Sequence, residues 1–196
     1  MKKILLSLPL LLCTLFVNAQ ALTKGDGVLN LGIGFGGGYV YSGATTTVPP
    51  VHASFEKIIT DEIGPGRIGI GGLAGYSAGK YEYPSWFGTG EYGIKTTSIV
   101  IGARGAYHFN FVKNDKLDLY AGIMLGYNIG STKWYFDSSI SPATQTLLES
   151  TNSASYGGLI YGGFIGARYL FTEKIGAFAE LGYSIALFNL GLTVKF

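Results

Sequence analysis

Asn189-Leu190-Gly191-Leu192-Thr193-Val194-Lys195-Phe196, at the end of the chain, alternates without a break. Leu190, Leu192, Val194 and Phe196 fall on one face, and Asn189, Gly191, Thr193 and Lys195 on the other. A repeat of two marks a strand with one apolar face and one small or polar face, and no helical spacing accommodates it. The rule recurs in 28–35, where Leu29, Leu31, Ile33 and Phe35 alternate with Val28, Asn30, Gly32 and Gly34. It recurs again in 117–129, with Ala121, Ile123, Leu125, Tyr127 and Ile129 on one side.

Segments of this kind lie at 27–41, 51–60, 67–81, 94–109, 117–130, 156–171, 175–184 and 188–196. Their connections alternate in length: 42–50, 82–93 and 131–155 are long, whereas 61–66, 110–116 and 172–174 are short. An even number of alternating strands with short turns at one end and long loops at the other describes an all-β fold, a closed antiparallel eight-stranded up-and-down transmembrane β-barrel. Short turns belong to the periplasmic side, which places both termini there. Asp61-Glu62-Ile63-Gly64-Pro65-Gly66 and Lys113-Asn114-Asp115-Lys116 have the breaker chemistry such turns need. Ser184-Ile185-Ala186-Leu187-Phe188 does not, and the final hairpin rests on the change of parity between Tyr183 and Leu190.

Composition points the same way. The chain has 31 Gly, 14 Tyr and 12 Phe against 13% charged residues, a poor surface for a dissolved domain. No run of eighteen apolar residues follows Val17, so the apolar surplus is spread over strands instead of helical spans. Residues 1–19 read as a signal peptide: Met1-Lys2-Lys3, an apolar stretch, then Val17-Asn18-Ala19 before Gln20. That stretch is too short for a transmembrane anchor, and Leu12 before Cys13 is too large for a lipoprotein site. Residues 20–196 then form one barrel domain. Without Lys2 and Lys3, 12 of the 14 basic residues remain against 12 acidic ones, a balance that gives no argument for nucleic acid. The single cysteine leaves with the signal, so neither disulfides nor a thiolate metal site is expected.

An eight-stranded barrel is just wide enough to be filled by its own side chains. Gly32, Gly34, Gly36, Gly102, Gly162 and Gly166 share the inward parity with Glu56, Arg104, Arg168 and Glu180, and these four charges are expected to form an interior ion-pair network. On outward parity, Tyr39, Tyr76, Tyr127 and Tyr183 lie toward the outer ends, and Tyr107, Phe109, Tyr169, Phe171 and Phe196 toward the inner ends, as two aromatic girdles.

Other motifs weaken on inspection. Gly32-Ile33-Gly34-Phe35-Gly36-Gly37 matches a dinucleotide fingerprint, but Tyr39-Val40-Tyr41 continues a strand where a helix is required. His52, Ser54 and Glu56 share one face of one strand in an order a hydrolase could use, yet same-face neighbours are roughly 7 Å apart along the backbone, and polar filling is the expected role. His108 reads as a hydrogen-bonded rim residue, since no second ligand lies near it in sequence. Trp134-Tyr135-Phe136 and Tyr83-Pro84-Ser85-Trp86-Phe87 read as loop aromatics, suited equally to a partner and to a membrane interface.

With these segments in place the chain resembles the small outer-membrane β-barrel family that includes the OmpA and OmpX transmembrane barrels. The resemblance is one of pattern and covers the mature chain. Its most specific element is the terminal strand, where Leu190, Leu192, Val194 and Phe196 match the family's assembly signal of alternating apolar residues before a final aromatic. It implies periplasmic chaperones and the barrel assembly machinery as partners, outer-membrane lipid and lipopolysaccharide as surroundings, a monomer, and no cofactor. The expected role is non-enzymatic, structural or in surface interaction through the outer loops, with a small pore or an outer-rim lipid hydrolase as alternatives.

Overall fold

The computed structural model describes residues 21–36, 44–83, 92–112, 114–136, 145–146 and 154–196. Within them the alternating segments form β1 (Gly27–Phe35), β2 (Thr45–Ile58), β3 (Gly66–Tyr83), β4 (Tyr92–Phe109), β5 (Leu117–Phe136), β6 (Ala154–Leu170), β7 (Ile175–Gly182) and β8 (Phe188–Lys195). Each strand pairs antiparallel with its sequence neighbours, and β8 returns to β1 to close the ring. The closing seam runs from Val28 opposite Lys195 to Phe35 opposite Phe188. Two further bonds, from Gly27 N to Phe196 O (2.8 Å) and from Phe196 N to Gly27 O (2.9 Å), extend it to the last residue.

Burial follows the parity and inverts the usual order of a soluble protein. Ile123, Leu159 and Tyr161 are 72%, 76% and 80% exposed, while Glu56, Arg168 and Glu180 are 1%, 0% and 1% exposed. An outer face this apolar around an inside this polar fits a surrounding of hydrocarbon. The girdle residues Tyr76, Tyr127, Tyr169, Tyr183, Phe171 and Phe196 are exposed on that outer face. Tyr107 and Phe109 are half-buried against each other, and Tyr39 lies outside the described residues.

Several strand bounds differ from the sequence reading. β1 ends at Phe35, and Gly36 turns away with a φ of +66°. β2 begins at Thr45, inside the stretch 42–50 read as a long connection, and runs through Pro49-Pro50. Its register to β3 slips between Thr46 and Val48 and again between Val48 and Val51, so bulges absorb two residues that have no N–H to give a ladder. β5 continues to Phe136 and β6 starts at Ala154, so Trp134-Tyr135-Phe136 lies on a strand, not in a loop.

The last hairpin explains its missing turn signal. Gly182, at a φ of +152°, lets β7 leave the sheet, and a Cβ there would stand 2.3 Å from the Gly163 carbonyl oxygen. Tyr183 N then donates to Gly163 O (2.9 Å), and Gly182 N to Leu187 O (3.0 Å). Tyr183 and Leu187 face outward, whereas Ser184, Ile185 and Ala186 are buried. The turn is apolar because it folds into the barrel mouth: Ile185 packs with Leu73, Val100, Tyr120, Met124 and Phe164. At the opposite end 21–26 crosses the other mouth, with Leu22 packed on Val28 and Ile58 and its carbonyl accepting from Arg67 Nη1 (3.1 Å).

Ile101 stands at the middle of β4 on the outer face, 56% exposed. Ile101→Arg is expected to cost about 2–4 kcal/mol in urea unfolding from lipid vesicles. A loss below about 1 kcal/mol would mean that this face does not meet hydrocarbon.

Candidate functional site: the filled interior and the outer flap

The four charges singled out in the sequence all point into the barrel, but they do not bond only to one another. Arg104 on β4 reaches across to Glu180 on β7 in a fork, Nη2 to Oε1 at 2.6 Å and Nη1 to Oε2 at 3.4 Å. Its Nε lies 3.8 Å from Glu56 Oε2 on β2. Arg168 on β6 does not join that group directly. It donates to Asp118, its register partner on β5. The link between the two halves is His108, whose Nε2 lies 2.8 Å from Glu56 Oε1 and whose Nδ1 lies 2.8 Å from Asp118 Oδ1. Glu180, Arg104, Glu56, His108, Asp118 and Arg168 therefore form one continuous chain across the lumen.

Asp118 and His108 were missed as members for different reasons. Asp118 lies in the segment 117–130 on the inward parity of Tyr120 and Met124, but nothing in the sequence places it opposite Arg168 on the next strand. His108 carries the inward parity but lacks any sequence neighbour that would join it to carboxylates, which arrive from β2 and β5. Tyr120 completes the layer by donating from its hydroxyl to Glu180 Oε1 (3.0 Å). Aromatic faces shield the cations, with the Arg104 guanidinium 4.1 Å from the Phe164 centroid and that of Arg168 4.9 Å from that of Tyr120. With three carboxylates and two guanidinium groups, the cluster closes to zero net charge when His108 carries a proton on each nitrogen.

Room for these side chains comes from glycine on the same rows. Tyr120, Gly166 and Glu180 are successive register partners, and a Cβ on Gly166 would stand 2.4 Å from the Tyr120 ring. A large residue on one strand thus fills the space a neighbour leaves open.

His52, Ser54 and Glu56 are buried and drawn to three different partners. Ser54 accepts from Asn30 Nδ2 (3.2 Å), whose own oxygen accepts from Thr193 Oγ1 (2.7 Å). Glu56 belongs to the charge chain, and the His52 ring stands edge-on to Phe178 at 5.9 Å. The arrangement holds no nucleophile–base pair among them.

Beyond the barrel mouth β3, β4, β5 and β6 continue as a flap, at 18, 18, 20 and 17 residues against 8 for β7 and for β8. Its inner face is aromatic: Trp134 stacks on Tyr83 at 5.5 Å and on Phe136 at 6.0 Å, and Tyr83 on Tyr92 at 5.6 Å. Residues 84–87 of the second aromatic motif lie outside the described residues.

A model of the outer membrane protein β-barrel domain matches residues 18–191. No curated protein matches the chain in sequence. The N-terminal β-barrel domain of Pseudomonas aeruginosa OprF is similar in structure, with 14% identity and a TM-score of 0.51 over 89% of this chain and 100% of that one. OprG of the same organism gives 13% identity and 0.51 over 91% and 99%. Ail, the attachment invasion locus protein of Yersinia pestis, solved with the heparin analogue sucrose octasulfate, gives 11% and 0.46 over 89% and 100%. At such identities the likeness to OprF and OprG shows the fold alone.

Removing one partner from the charge chain leaves another buried and uncompensated, so Arg104→Ala is expected to cost about 3–5 kcal/mol in urea unfolding. Arg104→Leu with Glu180→Leu together should cost clearly less than Arg104→Leu alone. Strictly additive losses would show that the two side chains are not coupled.

Proposed function

The chain belongs to the outer membrane protein β-barrel domain family and lies in the bacterial outer membrane, and on that premise we propose that it is a non-enzymatic, closed barrel whose interactions are made at its outer end. The observation that carries this reading is the filled lumen. Ile185 and Ala186 occupy the outer mouth, the charge chain spans the middle, and Leu22 lies across the inner mouth. What remains for contact with other molecules is the surface above the membrane, namely the loops and the flap of β3 to β6. The aromatic inner face of that flap supports the reading, since stacked Trp and Tyr side chains offer large contact area at small entropic cost.

Assembly follows from the same premise. Leu190, Leu192, Val194 and Phe196 are exposed on the outer face of β8, and Phe196 stacks on Phe55 at 5.9 Å. A machinery working from the lipid side, such as the barrel assembly machinery, meets all four before the seam with β1 closes. Periplasmic chaperones would hold the same apolar face until then, and the barrel acts as a monomer.

Planar-bilayer recordings are expected to show no steady conductance for the mature protein, and incubation with phospholipid to release no fatty acid. Sustained single-channel steps would favour a small pore, and fatty-acid release abolished by Ser54→Ala would favour a hydrolase. Deleting Phe196 should slow the appearance of the heat-resistant, fast-migrating form on unboiled gels in cells. An unchanged rate would remove Phe196 from the assembly signal.

A further inference from the structure

Lys80, Lys95 and Lys133 are successive register partners on β3, β4 and β5 and so occupy one row of the flap. Lys95 and Lys133 are exposed, on the parity of the outer-face residues Ile99, Ile101, Tyr127 and Ile129. Two positions below this row on the same face stand Ala78, Thr97 and Ser131, again register partners, and two below those stand Tyr76, Ile99 and Ile129. The outer face therefore passes from apolar, through small and hydroxyl-bearing, to cationic within four residues, a drop of roughly 13 Å along the strands. That is the order in which a lipid presents its acyl chains, its linkage region and its charged headgroup.

The placement of cations among the described residues is as selective. Arg104 and Arg168 are inside the barrel, and Lys24, Lys57, Arg67, Lys116, Lys174 and Lys195 lie toward the short-turn end. The outer segments 36–44, 84–91 and 137–153 contain no lysine or arginine. Every cation of the outer end thus falls in the one row. Like charges directly opposite on neighbouring strands destabilise a sheet, so three in succession are a cost unless an anion sits among them. Glu82 pairs with Lys80 at one end of the row. Lys95 lies over the Tyr135 ring at 5.2 Å, and among the described residues no carboxylate is within ion-pair distance of Lys95 or Lys133.

Beside the apolar rows the outer face carries a shallow, open groove lined by Leu31, Val51, Ala74, Tyr76, Ile99 and Leu190. Small residues on adjacent strands make the hollow, and it lies below the Lys80 side of the row.

We propose that the Lys80–Lys95–Lys133 row binds the phosphate groups of a phosphorylated lipid in the outer leaflet, with Thr97 and Ser131 beneath it and an acyl chain in the groove. The site rests on the outer-membrane reading, with the short turns in the periplasm. The apolar rows beneath the lysines decide for a lipid over a free anion, because inorganic phosphate would make no use of them.

The test uses the mature protein refolded in octyl glucoside micelles and titrated with fluorescently labelled diphosphoryl lipid A, binding being read from anisotropy. Folding of every variant is checked beforehand by unboiled against boiled gel migration. A parent that shows no such shift would overturn the barrel reading itself, separately from the site. Lys95→Gln with Lys133→Gln is expected to weaken binding about tenfold or more. Lys95→Arg with Lys133→Arg should retain it, and Lys116→Gln with Lys174→Gln at the opposite end should bind as the parent does. Dephosphorylated lipid A should bind the parent as weakly as the phosphorylated lipid binds the glutamine variant. The proposal is overturned if the glutamine variant binds like the parent, if the dephosphorylated lipid binds equally well, or if millimolar inorganic phosphate displaces the lipid.

Discussion

Hydrocarbon offers backbone amides no water, so a chain that crosses it in strands must satisfy every N–H and C=O within the protein, and only a closed sheet does so. The seam between β1 and β8 is where that requirement is met. Once the ring is closed at eight strands, its width is set, and with it how much side chain the lumen must hold. The alternation of faces, the glycine-rich rows and the two covered mouths follow from that closure.

The lumen carries the consequence with the largest energetic stakes. A charge facing lipid at midplane is expensive, so Arg104, Arg168, Glu56 and Glu180 can only face inward. Once inside they are out of water as well, and each must find a partner there. The chain through His108 and Asp118 satisfies both demands at once, using side chains from five strands, β2 and β4 to β7. Such a cross-linked layer ties opposite walls of the ring together in a way that its hydrogen-bonded ladders, which join only neighbours, do not.

The ring and the parity of most strands were legible because period-two patterning is a local property, present in eight residues such as Asn189 to Phe196. Partners across the lumen were not. Arg168 was expected to meet Glu56 or Glu180 and instead meets Asp118, since which inward residues share a level depends on the stagger of the strands. The stretch 42–50 reads as a connection between alternating segments, yet a strand with bulges runs through its Pro49-Pro50 pair, which has no N–H to give a ladder. Ile185 and Ala186 carry no turn signal because their turn enters the barrel. In each case the missing information was three-dimensional: a register, a slip in register, or a direction of folding.

The unequal height of the wall has a bearing on the bilayer around it. From Leu119 to Ile129 the outer face of β5 is apolar over ten residues, about 24 Å of height at a 45° tilt, which suits an ordinary hydrocarbon slab. From Phe188 to Phe196 the corresponding face of β8 reaches about 19 Å, and above it only the outward Leu187 and Tyr183 of the turn add to the apolar band. A slab of uniform thickness cannot match both sides, so either the lipids beside β8 are compressed or the barrel axis leans toward them. The molecule is thus laterally asymmetric in the plane of the membrane: its short wall lies along the seam, away from its tall, cationic side.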